Sequence, residues 1–91
     1  MALTSLDPLV GRWSDVKGSR YTLVLDDDGK SLTVHTTRPD ETEKITKALI
    51  RLDSERNVRW GQKFWLDPVT DTNSLLWKRA HGSSFKWTRI D

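Results

Sequence analysis

The sequence predicts an all-β fold: a small antiparallel up-and-down meander of about eight short strands, closed or nearly closed into a barrel, with a short helical turn at the N-terminus. Three observations predict it. First, apolar and aromatic residues recur in twos over 58–90, as Val58/Trp60, Phe64/Leu66, Leu75/Trp77 and Phe85/Trp87. A spacing of two puts both members of a pair on one face of a strand. Second, turn formers return every eight to twelve residues or so, the spacing of a sandwich or barrel. Third, the connections are too short for crossovers, so sequential hairpins follow, and a meander of hairpins loses its exposed edges by closing.

The 91 residues are expected to form a single β-barrel-like domain spanning 1–91. A chain of this size buries only about 60–65% of its unfolded surface. It has no cysteine, so neither a disulfide nor a thiolate metal site supports it. Five tryptophans, four of them in 58–90, supply large buried areas from few residues. Trp also favours contact surfaces, so some of the five are candidates for ligand or partner binding.

Charge is uneven. Residues 1–45 carry six basic and eight acidic groups, and 46–91 carry nine and five, so the Trp-rich half is net +4. The first ten residues lack a basic segment and a continuous apolar run, and so do not read as a secretory signal. No segment approaches the roughly 20 apolar residues of a membrane helix. The default expectation is an intracellular soluble protein that does not engage membranes.

Taken in order, Ser5-Leu6-Asp7-Pro8-Leu9 reads as one helical turn, with Ser5 or Asp7 as cap and Pro8 at a first helical position. Val10 to Val16 reads as strand one, with Trp13 buried and Gly11 leaving room on the same face. Lys17-Gly18-Ser19 is a hairpin turn. Arg20 to Leu25 is strand two, with Tyr21, Leu23 and Leu25 on one face. Asp26-Asp27-Asp28-Gly29 invites a calcium reading, but an EF-hand loop counted from Asp26 places Lys30 and Ser31 where a ligand and glycine are required. A turn closed by Gly29 is the reading adopted.

Ser31 to Thr37 is strand three, Leu32 and Val34 facing in. His35, with one other histidine and no cysteine in the chain, makes no zinc site. Arg38 to Lys44 is a polar loop. Ile45 to Leu52 is strand four with broken alternation: Ala48, Ile50 and Leu52 share one face, Ile45 and Leu49 the other, which calls for a bulge. A short helix over 41–50 competes with it, and the β-branched Ile45 and Thr46 oppose that helix. After the turn Asp53-Ser54-Glu55-Arg56-Asn57, strands five and six are Val58 to Gly61 and Lys63 to Asp67, with a tight corner at Gly61-Gln62. A loop of turn formers from Asp67 to Asn73 leads to strand seven, Ser74 to Ala80. His81-Gly82-Ser83-Ser84 then turns into strand eight, Phe85 to Ile90.

Gly11-Arg12-Trp13 after a helical turn, together with Arg89 on the last strand, resembles the calycin group of barrels, the lipocalin-type and avidin-type proteins. That resemblance implies a Gly-x-Trp on the first strand and a basic side chain from the last strand lying across the Trp at the closed end. A guanidinium stacks well on an indole face. The order Gly-x-Trp-x-Asp, Gly-Ser-x-Tyr, Thr-x-Arg-Pro, Trp-Gly and Phe-x-Trp-Thr-Arg is also similar to small Trp-anchored β modules of some algal proteins, for which no activity is established.

No nucleophile elbow, phosphate-binding loop or dinucleotide fingerprint is present in the sequence. No catalytic residue, metal or cofactor is expected, and the chain reads as a non-enzymatic binding domain. The favoured reading is an aromatic-lined barrel pocket for a small molecule or sugar, with Trp60, Trp65 and Trp77 as stacking candidates and Arg59, Lys63 and Lys78 as polar and charged partners. Trp65 alternates away from Phe64 and Leu66, so if those face the core it faces out. That supports a second reading: a protein-interaction or subunit module, a homodimer included, in which Trp65 sits among Arg59, Lys63, Lys78 and Lys86. Single-stranded nucleic acid is a third and less favoured partner, because nucleic-acid domains carry more net positive charge.

Overall fold

The computed structural model describes residues 6–55, 57–67, 73–80, 82 and 84–90. Eight strands follow in chain order: β1 (Gly11–Asp15), β2 (Arg20–Leu25), β3 (Ser31–Thr37), β4 (Glu43–Leu52), β5 (Val58–Trp60), β6 (Phe64–Leu66), β7 (Ser74–Arg79) and β8 (Phe85–Arg89). Each pairs antiparallel with the next. Because β8 pairs back onto β1, with Trp13 opposite Arg89 and Asp15 opposite Trp87, the sheet closes into a barrel.

A single 3-10 turn, Asp7–Leu9, precedes β1 with Pro8 at its start, where a missing N–H costs nothing. Leu6 occupies the capping position and makes no side-chain cap, and Asp7 lies inside the first turn. The cap expected of Asp7 is therefore not made, and Ser5 lies outside the described residues. Leu6 and Leu9 are buried, so the turn plugs the end of the barrel from which β1 starts.

Strand one is shorter than Val10 to Val16. The Val10 amide donates to Asp7 O at 3.1 Å and so closes the 3-10 turn. Val16 sits in the hairpin that follows, where the Asp15 amide donates to Ser19 O at 3.1 Å. The Asp15 carboxylate accepts from the amides of Lys17 and Ser19 at 2.9 and 3.0 Å. Gly18 holds φ 92°, which a residue without Cβ adopts freely. At the β2–β3 turn the Gly29 amide donates to Asp26 O at 2.9 Å, and the Asp26 carboxylate accepts the hydroxyls of Ser31 and Thr33 at 2.6 and 2.5 Å. The run of aspartates thus closes a turn. The turn-forming stretch 68–72, Arg56, and His81 and Ser83 of the last expected turn lie outside the described residues.

β4 carries the expected bulge and no helix. Ile50 is opposite Leu32 and Thr46 opposite Val34, so β4 passes more residues than β3 over the same step. Ala48 at φ 54° absorbs the excess. The bulge changes the expected faces: Leu49 and Leu52 both pack against the core beside buried Ile50, while Ile45 is 62% exposed. β4 also starts at Glu43, ahead of the expected Ile45. β5 pairs only with Ile50–Leu52, so among the described residues the first half of β4 has strand pairing on its β3 side alone.

The inward face carries Trp13, Tyr21, Leu23, Leu32, Val34, Ile50, Val58, Leu75, Trp77 and Trp87, all buried. Trp13, Trp77 and Trp87 are fully enclosed. Three indoles fill much of the interior that a longer chain would fill with many aliphatic residues. Among the described residues no helix is long and apolar enough to cross a membrane.

Candidate functional site

The two ends of the barrel differ. At the plugged end, the Trp13 N–H donates to Leu9 O at 3.0 Å. The Arg89 guanidinium lies 4.2 Å from the centre of the Trp13 ring and donates to Pro8 O at 2.8 Å and to Val10 O at 3.2 Å. This end is sealed by stacking and by hydrogen bonds to the carbonyls of the 3-10 turn.

The opposite end is built from aromatic rings. β5 runs toward it and finishes at Trp60, β6 leaves it from Phe64, and β8 leaves it from Phe85. The three are half-buried and mutually in contact. The Trp60 ring centre lies 5.3 Å from both Phe64 and Phe85, and Phe64 lies 5.0 Å from Phe85. Beneath them Trp60 meets Trp87 at 4.9 Å and Trp77 at 5.6 Å, tilted or edge-on. Tilted and T-shaped contacts suit the ring quadrupoles and hold each plane in a fixed orientation. Tyr21 stacks on Trp87 with ring centres 4.1 Å apart.

Polar groups edge this cluster. The Tyr21 hydroxyl donates to Asp15 Oδ2 at 2.8 Å. Burial, with the Asp15 carboxylate beside it, pushes the Tyr21 phenol up to about 12: ionisation would place a second negative charge next to the first in a poorly solvated site. Arg79, opposite Phe64 on β7, holds its guanidinium 6.0 Å from the Phe64 ring centre. Register carries Tyr21 onto Thr36 of β3 and Thr36 onto Lys44 of β4, so a hydroxyl and an ammonium share the inward phase at this end. The indole N–H groups of Trp77 and Trp87 have no hydrogen-bond partner among the described residues. Each is a buried donor worth about 1–3 kcal/mol to any acceptor that reaches it.

The residues singled out from the sequence divide between the two sides of the wall. Trp60 and Trp77 point inward and touch. Trp65 lies on the outer side: its neighbours Phe64 and Leu66 pack against the core, and it stands opposite Arg59 on one flank and Lys78 on the other. It is half-buried, with the Arg59 guanidinium 5.8 Å from its ring centre. Arg59 also bonds Asp53 at 3.2 Å, and Lys78 bonds Asp67 at 3.0 Å. Lys63 is exposed in the β5–β6 turn. Arg51, opposite Arg59, extends the outer row to Arg51–Arg59–Trp65–Lys78. Trp65 therefore does not share a site with Trp60 and Trp77.

Phe64, Phe85, Tyr21, Asp15 and Arg79 are site residues that the sequence reading does not single out. A signal for two of them exists: Phe64 and Phe85 each lie two positions from a core residue, on the same face and nearer the strand end. Asp15 and Arg79 carry no such signal, since only register places them beside the rings. Among the described residues no group of three or more His, Asp or Glu converges to hold a metal. No protein-family model matches the chain, and no curated protein or solved structure matches it.

Proposed function

We propose that this protein is a non-enzymatic binding domain that takes a small molecule or sugar against the aromatic rings at the open end of the barrel. The observation that carries the reading is the trio Trp60, Phe64 and Phe85, half-buried and in mutual contact at the end opposite the plug. Rings held in fixed planes with polar groups at their edge suit a flat apolar face with one or two hydrogen-bonding groups. A calycin-like barrel is part of this reading, supported by Gly11, Trp13 and the placement of Arg89 across the Trp13 ring. The test is a titration with a library of sugars and small aromatic molecules, read by the indole and backbone signals of isotopically labelled protein. Shifts are expected at Trp60, Phe64 and Phe85 and not at Trp65. An unmoved spectrum across the library would dismiss the pocket.

The outer row favours a second reading, a protein-interaction module centred on Trp65 with Arg59, Lys63 and Lys78. Its support is the in-register placement of an aromatic ring between cations on adjacent strands. On that reading Trp65→Ala lowers association with a partner and leaves the melting temperature in place.

A further inference from the structure

β4 is ten residues long, yet β5 pairs only with its far end, Ile50–Leu52. The segment Glu43-Lys44-Ile45-Thr46-Lys47 lies along β3, and among the described residues no strand pairs with its other edge. About half of its backbone N–H and C=O groups therefore face outward along that edge. Such an edge is a template for another strand unless charge or a bulge blocks it. Lysines stand at 44 and 47, and the bulge at Ala48 ends the regular stretch.

We propose that this edge pairs antiparallel with the same edge of a second copy of the chain, with Ile45 of each at the two-fold axis. The sequence of the segment carries the inference. With Ile45 at the centre, Glu43 falls opposite the second copy's Lys47, Lys47 opposite its Glu43, Lys44 opposite its Thr46, and Ile45 opposite its Ile45. Both charge pairs are attractive, and no like charges meet. Centring one position earlier sets Lys44 against Lys44. Centring between Ile45 and Thr46 sets Lys44 against Lys47. A parallel in-register arrangement sets every charge against itself. Like charges directly opposite each other destabilise a strand pair, and opposite charges or two apolar residues support it. The lysines thus act as a register filter, blocking the other pairings named here.

The exposed side chains fit this geometry. Ile45 is 62% exposed on the outer face, in line with His35 of β3. Val24 on β2, also on the outer face, is 55% exposed. Joining two copies through β4 places Ile45 against its counterpart and continues the sheet across the axis. Glu43 holds His35 at 3.1 Å within its own chain and keeps a second carboxylate oxygen for the incoming Lys47. So short a segment on each side makes a small interface, and the association is weak and reversible.

The test is sedimentation velocity over a rising protein concentration. Wild-type protein is expected to shift from monomer toward dimer, with concentration-dependent protection of the amides of 43–47 in hydrogen exchange. Glu43→Lys and Lys47→Glu each turn both attractive contacts into repulsive ones and weaken association by roughly tenfold or more. Both positions are exposed, so both variants keep the wild-type melting temperature. Mixing the two single variants restores the dimer, because the lysine introduced in one chain then meets the glutamate introduced in the other across the axis. Strictly monomeric wild-type protein at about 1 mM, or a mixture no more associated than its components, overturns the proposal. Thr46→Pro, which removes an amide from the strand, serves as a second check. If it leaves association unchanged in folded protein, the backbone edge is not the contact.

Discussion

Arg89 and Trp13, at opposite ends of the chain and directly paired across β8 and β1, form the floor of the barrel: the guanidinium lies 4.2 Å from the indole centre and donates to Pro8 O and Val10 O. One side chain thus ties the last strand to the first and to the turn that precedes it. Arg89→Ala is expected to lower unfolding free energy by about 2 kcal/mol, combining a lost cation–π contact with stranded carbonyls. Arg89→Lys is expected to recover less than half of this, since an ammonium cannot stack flat and reach two carbonyls. Urea denaturation of both variants measures the difference. Equal stability of the Lys variant and wild type would show that charge alone matters.

Tyr21 is the sole tyrosine of the chain, so its ionisation is read without interference from another phenol by ultraviolet difference absorbance. The folded protein is expected to titrate near pH 12, against an ordinary value of 10.0. The sign follows from linkage. Because the folded pKa is raised, the Tyr21 contribution to stability is whole below pH 10 and is lost as pH climbs toward 12. Native titration at the ordinary value would mean that the hydroxyl is solvated and its bond to Asp15 absent.

The acid limb has the opposite sign. The Asp26 carboxyl is held below its usual 3.8 by the hydroxyls of Ser31 and Thr33, and Asp53 is held down first by the Asn57 amide and then by Arg59. Both contribute stability above pH 3.8 that is lost as pH falls through their lowered values. Melting temperature is expected to hold from about pH 6 to about pH 4 and to decline below. The decline should be shallower in Asp26→Asn; a slope identical to wild type would remove Asp26 from the account.

Trp60 and Trp65 separate inside from outside. Trp60→Ala opens the aromatic cluster and is expected to cost about 3–5 kcal/mol, whereas Trp65→Ala, against an outer surface, should cost about 1 kcal/mol or less. Chemical denaturation of the pair decides the matter: comparable losses would place Trp65 in the core.

Ala48 holds φ 54° in the β4 bulge. A β-branched side chain is strained there, so Ala48→Val is expected to destabilise by about 1–3 kcal/mol. Ala48→Gly, which relieves the conformation, should be neutral or stabilising by up to about 1 kcal/mol. Thermal melts of both variants test the register of the bulge, because a regular strand would reverse the order.

Much of the barrel is legible in the sequence because the alternation is strong and the turns are built from Gly and Asp. β2 and β3 match their expected spans residue for residue, Arg20–Leu25 and Ser31–Thr37. β4 is legible only as a disturbed strand. Its surplus residues bring Leu49 and Leu52 inward together, which no fixed period conveys. The candidate site is legible in part. Pair spacing locates Trp60 and Trp77 on inward faces and Trp65 outside, but which inward rings reach the open end depends on where each strand stops. Asp15 meets Tyr21 through a hairpin, and Arg79 meets Phe64 through cross-strand register. Both are distances through space that the linear order does not encode.

The ring of strands is local at every join but one. Each pairing links neighbours in the chain except the β1–β8 seam, which spans nearly its whole length. Assembly therefore falls into fast hairpin formation and one slow step with a large loop-closure entropy. On a ribosome, the hairpins have an opportunity to form as the chain emerges, while the wall stays open and its indoles accessible until the last strand arrives. The vulnerable interval in this protein's life is the one before Trp87 and Arg89 leave the exit tunnel.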